Sequence, residues 1–316
     1  MLNDIFRYIL QLPSFLFKNN LNLFASKEKK FKKIIEKYLN LYSPSNKNLT
    51  KTHIYFNENL KKILRKKNLY NFLRYSFIQK MFFVHNRLFI LFELLELKKN
   101  NWKRYKKLLF ENNFGNPVRY FLYPKTSGNT INQVYHLFIL EKNFNISLDN
   151  VDFVFEFGGG YGCNARIFSK INKKAKYLIF DTFLVSLLQF YYLNIVNINS
   201  CINQFKKKYC ILINKLNLLT KINLNKYNNR LFIANWSISE CPLTFRENFF
   251  KIICNSNLVL ISFQENFERI DNLKYFTNLQ KRLSNKFKVR ILRNKYYKGN
   301  IFKSHNHYYF IAQKIQ

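Results

Sequence analysis

Two carboxylates and a glycine turn carry the chemistry that this sequence advertises most clearly. In the stretch 151–181, VDFVFEFGGGYGCNARIFSKINKKAKYLIFD, an apolar run ends in Glu156. Gly158, Gly159, Gly160 and Gly162 follow at once, and a second apolar run ends in Asp181. A carboxylate at a strand end beside a glycine turn can accept hydrogen bonds from a neutral or cationic ligand, whereas a pyrophosphate would be repelled there. The glycines then serve close backbone approach and positive φ rather than anion capture. Asp181 lies 181 − 156 = 25 residues on. That suits two acceptor oxygens facing two ribose hydroxyls, as an acid about 20 residues on does in nucleotide folds.

Two further residues are candidates for moving a proton. His136 stands in the helix-compatible segment just before the glycine unit, and Glu240 follows the apolar run 230–235. A general base helps a weak nucleophile such as a hydroxyl. Each also has a structural reading: His136 as a histidine bonding nearby backbone, Glu240 as a cap for the helix around Pro242. Asn129, Asn235, Ser237, Ser239 and Gln264 are candidate ligands for acceptor hydroxyls, and Tyr161, Trp236 and Tyr120 are candidate stacking platforms, although core packing accounts for most aromatics in this chain. His305 and His307 alternate in SHNHYYF without a carboxylate cluster, so neither zinc nor magnesium coordination is expected.

The elements that position these groups alternate. Strands at 209–214, 230–235 and 258–263 separate helices at 184–193, 244–253 and 272–283, and strands at 288–292 and 308–312 end the chain with no helix between them. Alternation predicts a parallel sheet, here Rossmann-like, seven-stranded and closed by an antiparallel pair. Residues 1–113 read as a helical N-terminal region, with one apolar face at Phe31, Ile34, Ile35, Tyr38 and Leu41, a further helical segment at 70–97, and a polar loop at 43–52. Residues 114–316 read as the catalytic domain. Between them, 114–130 is a Pro- and Gly-rich connector with a short strand at 118–122, and helix resumes at 131–141.

Composition bounds the partners. The chain has 316 residues, 53 Lys and Arg against 17 Asp and Glu, and a net charge of +36. Such charge ordinarily points to nucleic acid or an anionic membrane surface. The basic residues are spread rather than clustered, and abundant Lys, Asn, Ile, Phe and Tyr follow AT-rich codons. No stable nucleic-acid partner is therefore expected; peripheral association with an anionic membrane stays open. Five cysteines, none in C-x-x-C spacing, indicate neither a disulfide framework nor a zinc site and suit the cytoplasm. The N-terminal stretch 1–17 lacks a basic leader and a cleavage site, so it does not read as a signal peptide. The apolar stretches 81–97 and 177–196 are interrupted by polar residues and do not read as membrane spans.

The spacing acid-x-Gly-x-Gly-x-Gly (Glu156, Gly158, Gly160, Gly162) is similar to the signature of S-adenosylmethionine-dependent methyltransferases. The dinucleotide fingerprint G-x-G-x-x-G fits less well: its third position is Cys163 from Gly158, or Ala165 from Gly160. More specifically, EFGGGYG with IFDTFLVSLLQFYYL, together with FGNP, SGNTINQVYHL, ANWSISECP and LISFQ, resembles a bacterial sugar O-methyltransferase family over roughly residues 114–312. The resemblance implies a class I methyltransferase fold and S-adenosylmethionine held by Glu156, the glycines, Asp181 and Thr182. It also implies a sugar hydroxyl as acceptor, on a surface-glycan precursor; the high positive charge would suit a nucleotide- or lipid-phosphate-linked one, though codon bias accounts for it as well. The alternatives left open are an RNA or small-molecule methyltransferase, an NAD-dependent dehydrogenase, and a basic binding protein without catalysis. The NPPY-like motif of nucleic-acid amino-methyltransferases is absent; ANWS stands in its place.

Overall fold

The computed structural model describes residues 25–42, 51–66, 69–82, 86–206, 208–297 and 306–315. The N-terminal segment 1–17, most of the polar loop at 43–52 and His305 lie outside them. Among the described residues two short antiparallel pairs, β1 (Arg119–Tyr120) with β2 (Tyr123–Ser127) and β9 (Asn266–Phe267) with β10 (Ile270–Asp271), accompany a main sheet of eight strands: β3 (Phe153–Phe157), β4 (Lys176–Phe180), β5 (Ser200–Ile202), β6 (Cys210–Ile213), β7 (Arg230–Asn235), β8 (Leu258–Gln264), β11 (Phe287–Arg293) and β12 (His307–Lys314). Their order is β11-β12-β8-β7-β3-β4-β6-β5. All neighbours are parallel except β12, which runs antiparallel to both β8 and β11. This is the Rossmann-like α/β sheet expected from the alternation, including its antiparallel ending. It differs by one strand: β5 extends the far edge beside β6, where the sequence pattern gave no strand because Ser200–Ile202 is too short to show a period.

Successive side chains of a strand point to opposite faces, and here both faces are covered. Val154, Tyr177, Ile179, Leu212, Ile233 and Leu260 join one core cluster, with the helices Gly128–Phe144, Cys163–Ile171 and Phe183–Ile195 and the N-terminal helices. Phe155, Leu178, Ile213, Phe232, Ile261 and Phe310 join the other, with the helix Asn272–Leu283 and residues of 243–254. Burial on both sides explains why the strands read as unbroken apolar runs. The helix predicted over 244–253 is broken into Leu243–Arg246, a 3-10 turn and Phe250–Cys254. Likewise, the helical segment 70–97 is a 3-10 turn (Leu69–Arg74) and two helices, Ser76–Met81 and Phe89–Lys99. The connector strand is shorter than expected, β1 (Arg119–Tyr120), and pairs with β2 (Tyr123–Ser127).

The N-terminal helices Ala25–Asn40 and Lys51–Arg65 pack against the helix Phe183–Ile195 that follows Asp181. Phe31 meets Phe190 edge-on, and Tyr42 stacks on Phe183 with ring centroids 5.3 Å apart. A buried ionic knot ties the connector to the glycine unit: Arg166 Nη2 pairs with Glu111 at 3.3 Å and donates to Thr130 Oγ1 at 2.7 Å. Glu111 in turn accepts the Ser127 backbone N–H at the start of the helix Gly128–Phe144. Among the described residues no helix is long and apolar enough to cross a membrane.

Candidate functional site

In open parallel sheets the crevice lies outside the carboxyl ends of the strands. Here that end opens into a cavity of about 830 Å³. The glycine turn forms its floor. Gly158 has φ +70°, and a Cβ there would sit 2.2 Å from the Ser237 Cβ, so glycine is required both for the backbone and for the approach of the loop after β7. Ser237 Oγ donates to the Phe157 carbonyl at 2.5 Å, locking the two loops together. Gly159 and Gly160 line the cavity. Gly162 lies behind it, with φ +96°, and starts the helix Cys163–Ile171.

Glu156 is buried in the cavity floor. Asn164 Nδ2 donates to its Oε1 at 2.8 Å and the Tyr177 hydroxyl to its Oε2 at 2.9 Å; burial pushes its carboxyl up to about 7 against those two bonds. Asp181, at the end of β4, is half-buried and lines the cavity. It accepts from the Thr182 backbone N–H at 2.8 Å and from Gln189 Nε2 at 2.9 Å, and burial pushes it up to about 7. Gln189 also donates to the Gly160 carbonyl, so one amide ties the acid to the turn. Thr182 lines the cavity beside Asp181.

On the other side, the loop after β7 brings Asn235, Trp236, Ser237 and Glu240 to the cavity wall. Trp236 holds φ +60°, a left-handed conformation rare for a bulky side chain; strain of this kind collects at functional positions. Its ring packs on His307, which stacks on Tyr297. Burial pushes the Glu240 carboxyl up to about 8, opposed by a 3.4 Å hydrogen bond from Gln264 Nε2. Gln264 and Ser239 do not line the cavity. They bond to each other behind Glu240, at 3.0 Å, so they support it instead of facing a ligand.

His136 is not in the site. It is fully buried, away from the cavity lining, and its ring nitrogens lack partners among the described residues. Burial pushes it down to about 3, so it is neutral. It shares the helix face of Asn129 and Gln133 but lies about 4.5 Å further along the axis than Gln133, where it packs against Trp236 and Tyr309. Tyr120 is likewise fully buried and outside the lining.

Asn129 and, unforeseen, Gln133 reach the cavity from the helix Gly128–Phe144. The four-residue spacing was readable as one helical face. Tyr38, Tyr42, Phe56 and Phe82 of the N-terminal region also line the cavity; nothing in their local sequence signals this. Among the described lining residues the charged groups are three carboxylates, Glu156, Asp181 and Glu240, and one cation, Lys215. No group of three His, Cys, Asp or Glu side chains able to hold a metal ion occurs among the described residues.

No protein-family model matches the sequence, and no curated protein matches it. Solved structures similar to the chain include an rRNA methylase from Streptococcus thermophilus, at 19% identity over 57% of this chain and 94% of that one, TM-score 0.39. Another is the precorrin-6y C5,15-methyltransferase from Geobacter metallireducens, at 10% identity over 58% and 87%, TM-score 0.36. A third is human N-acetylserotonin methyltransferase in complex with SAM, at 12% identity over 59% and 56%, TM-score 0.33. The fold assignment rests on this chain's own strand order, a parallel sheet closed by the antiparallel β12.

Proposed function

We propose that the protein is an S-adenosylmethionine-dependent O-methyltransferase acting on a sugar hydroxyl in the cytoplasm, and that residues 114–316 form its catalytic domain, with Tyr38, Tyr42, Phe56 and Phe82 of the N-terminal helical region walling the cofactor cleft. The observation that carries this reading is the set of acids lining the cavity. In a chain of net charge +36, the described lining residues include three carboxylates and one lysine. A dinucleotide pyrophosphate or a nucleic-acid backbone calls for the opposite, cations or free helix N–H groups. A ligand with a neutral ribose and positive sulfonium and amino groups fits.

The residues present suit that ligand. Asp181 faces the cavity at a strand end, placed to accept from ribose hydroxyls. The Asn214 Nδ2 amide, after β6, is buried without a hydrogen-bond partner among the described residues, and Asn214 lines the cavity, as a group awaiting an acceptor such as a heterocycle nitrogen. The glycine turn admits close approach. When bound, S-adenosylmethionine supplies the methyl group. Glu240, in its ionised form, takes the proton from the acceptor hydroxyl, and Gln264 orients its carboxylate. Trp236 offers a face for a sugar ring, and Phe82 with the other N-terminal aromatics excludes water.

The net charge alone would favour an RNA acceptor, but the acidic lining speaks against phosphates entering the cavity. The test is transfer of labelled methyl from S-adenosylmethionine to a panel of neutral glycosides, nucleotide sugars, lipid-linked glycans and tRNA. Label in a glycan, lost in Glu240→Gln with cofactor binding intact, supports the proposal; label in tRNA alone overturns the sugar reading.

A further inference from the structure

Two amide side chains face the cavity from one side of the helix Gly128–Phe144, because residues four apart on a helix are neighbours. Each is held from behind, but by opposite ends of its amide. Asn129 Nδ2 donates to the Tyr161 hydroxyl at 3.1 Å, which leaves Oδ1 without a partner among the described residues. Gln133 is held through its oxygen. The buried Ser262 donates to Asn235 Oδ1 at 3.1 Å, and Asn235 Nδ2 donates to Gln133 Oε1 at 2.9 Å. This relay begins in β8, crosses β7 and ends on the helix, and it leaves Gln133 Nε2 without a partner among the described residues. Both residues line the cavity. Trp236, next in sequence to the relay residue Asn235, stands in the same cavity lining.

We infer that Asn129 and Gln133 form a reading pair for the acceptor: Oδ1 accepts from one hydroxyl and Nε2 donates to a second oxygen of a neutral, polyhydroxylated ring stacked on Trp236. Cβ atoms at this spacing lie about 5–6 Å apart, a separation that two oxygens of one sugar ring can bridge. This rests on the proposed function and narrows it. The reacting ring carries no phosphate or carboxylate, because the one cation among the described lining residues, Lys215, follows β6. In the sheet order β6 lies three strands from β7, roughly 14 Å at the usual strand spacing. Any phosphate of a carrier lies outside the reading pair.

The experiment uses methyl glycosides of common hexoses as neutral probes and hexose 1-phosphates as charged ones. Both are followed by saturation-transfer NMR with the full chain, with and without S-adenosylhomocysteine. Neutral glycosides are expected to contact the wild-type protein and to bind better than the phosphates. Gln133→Glu keeps an oxygen for Asn235 and replaces the cavity-facing donor with a second acceptor. It and Asn129→Leu are each expected to weaken glycoside binding by roughly five- to tenfold, the worth of one hydrogen bond. Thermal midpoint and S-adenosylhomocysteine affinity should stay unchanged in Gln133→Glu. No contact with any neutral glycoside, stronger contact with the phosphates, or unaltered binding in both variants overturns the inference. Failure of S-adenosylhomocysteine to bind would instead strike the cofactor reading, and the glycoside runs without it would still judge the pair.

Discussion

The meeting of Gly158 with Ser237 is the contact that joins the glycine turn to the loop carrying Glu240, and a double-mutant cycle can measure it. Gly158→Ala forces an alanine to φ +70°, a left-handed conformation that costs about 1–2 kcal/mol. The new Cβ would also stand 2.2 Å from the Ser237 Cβ, an overlap that must be relieved by shifting one loop, at about 1–3 kcal/mol. The single variant should therefore lose about 2–5 kcal/mol. Ser237→Gly removes the hydrogen bond to the Phe157 carbonyl, worth about 1 kcal/mol, and adds about 0.5–1 kcal/mol of backbone entropy. In the double variant the overlap is gone, since the nearest remaining atom is the Ser237 Cα at 3.6 Å, an ordinary contact. The double variant should be more stable than the sum of the singles by about 1–3 kcal/mol, a coupling typical of touching residues. Urea unfolding with unchanged slope gives each term. Gly160→Ala is the control: its Cβ meets Phe82 at no closer than 3.4 Å, so only the backbone cost should appear. Additivity within about 0.5 kcal/mol would refute the contact and the placement of the Glu240 loop against the turn.

Glu240→Gln should lower kcat by about 10²- to 10⁴-fold with S-adenosylhomocysteine affinity unchanged. Because burial pushes Glu240 up to about 8 and only the ionised form is a base, wild-type kcat/KM should rise tenfold per pH unit and level off near pH 8. Glu93 is fully buried with Asn132 as its hydrogen-bond donor, and burial pushes it up to about 8 from an ordinary 4.5. Its folded value is the higher one, so its stabilising effect is complete below about pH 4.5 and is lost as pH rises through 8. Glu93→Gln, which keeps the Asn132 bond, should therefore flatten the fall of thermal midpoint between pH 5 and pH 9. His136 runs the other way: its value falls from 6.5 to about 3, so its contribution is present above 6.5 and lost as pH drops toward 3. His136→Phe should retain activity and lessen acid destabilisation, measured by thermal midpoints at pH 4 and pH 7.

The glycine unit was legible because its chemistry is local: strand, turn and helix follow one another in 151–181, and both acids sit at strand ends. The parallel sheet was legible because its strands other than β5 are long enough, and buried on both faces, to read as apolar runs. What stayed hidden depends on contacts between distant segments. Gln133 gains its role from Asn235, 102 residues away. His136 lies on the same helix face as Asn129 and Gln133, yet its place further along the axis carries it past the cavity into the core. Ser239 and Gln264 carry the right chemistry for a ligand but spend it on each other behind Glu240. Tyr38 and Leu41 read as part of one apolar helix face; that they close the cleft follows from packing on the helix Phe183–Ile195, which no local pattern encodes.

The central claim is that the acid-lined cleft holds S-adenosylmethionine. Titration calorimetry with S-adenosylhomocysteine and with NAD, on the wild type and on Asp181→Ala, tests it most directly. The account predicts that S-adenosylhomocysteine binds the wild type, that Asp181→Ala weakens it at least tenfold by removing a charge-assisted hydrogen bond of about 1.5–3 kcal/mol, and that NAD binds neither. Tighter binding of NAD than of S-adenosylhomocysteine, or indifference of S-adenosylhomocysteine binding to Asp181, would contradict it.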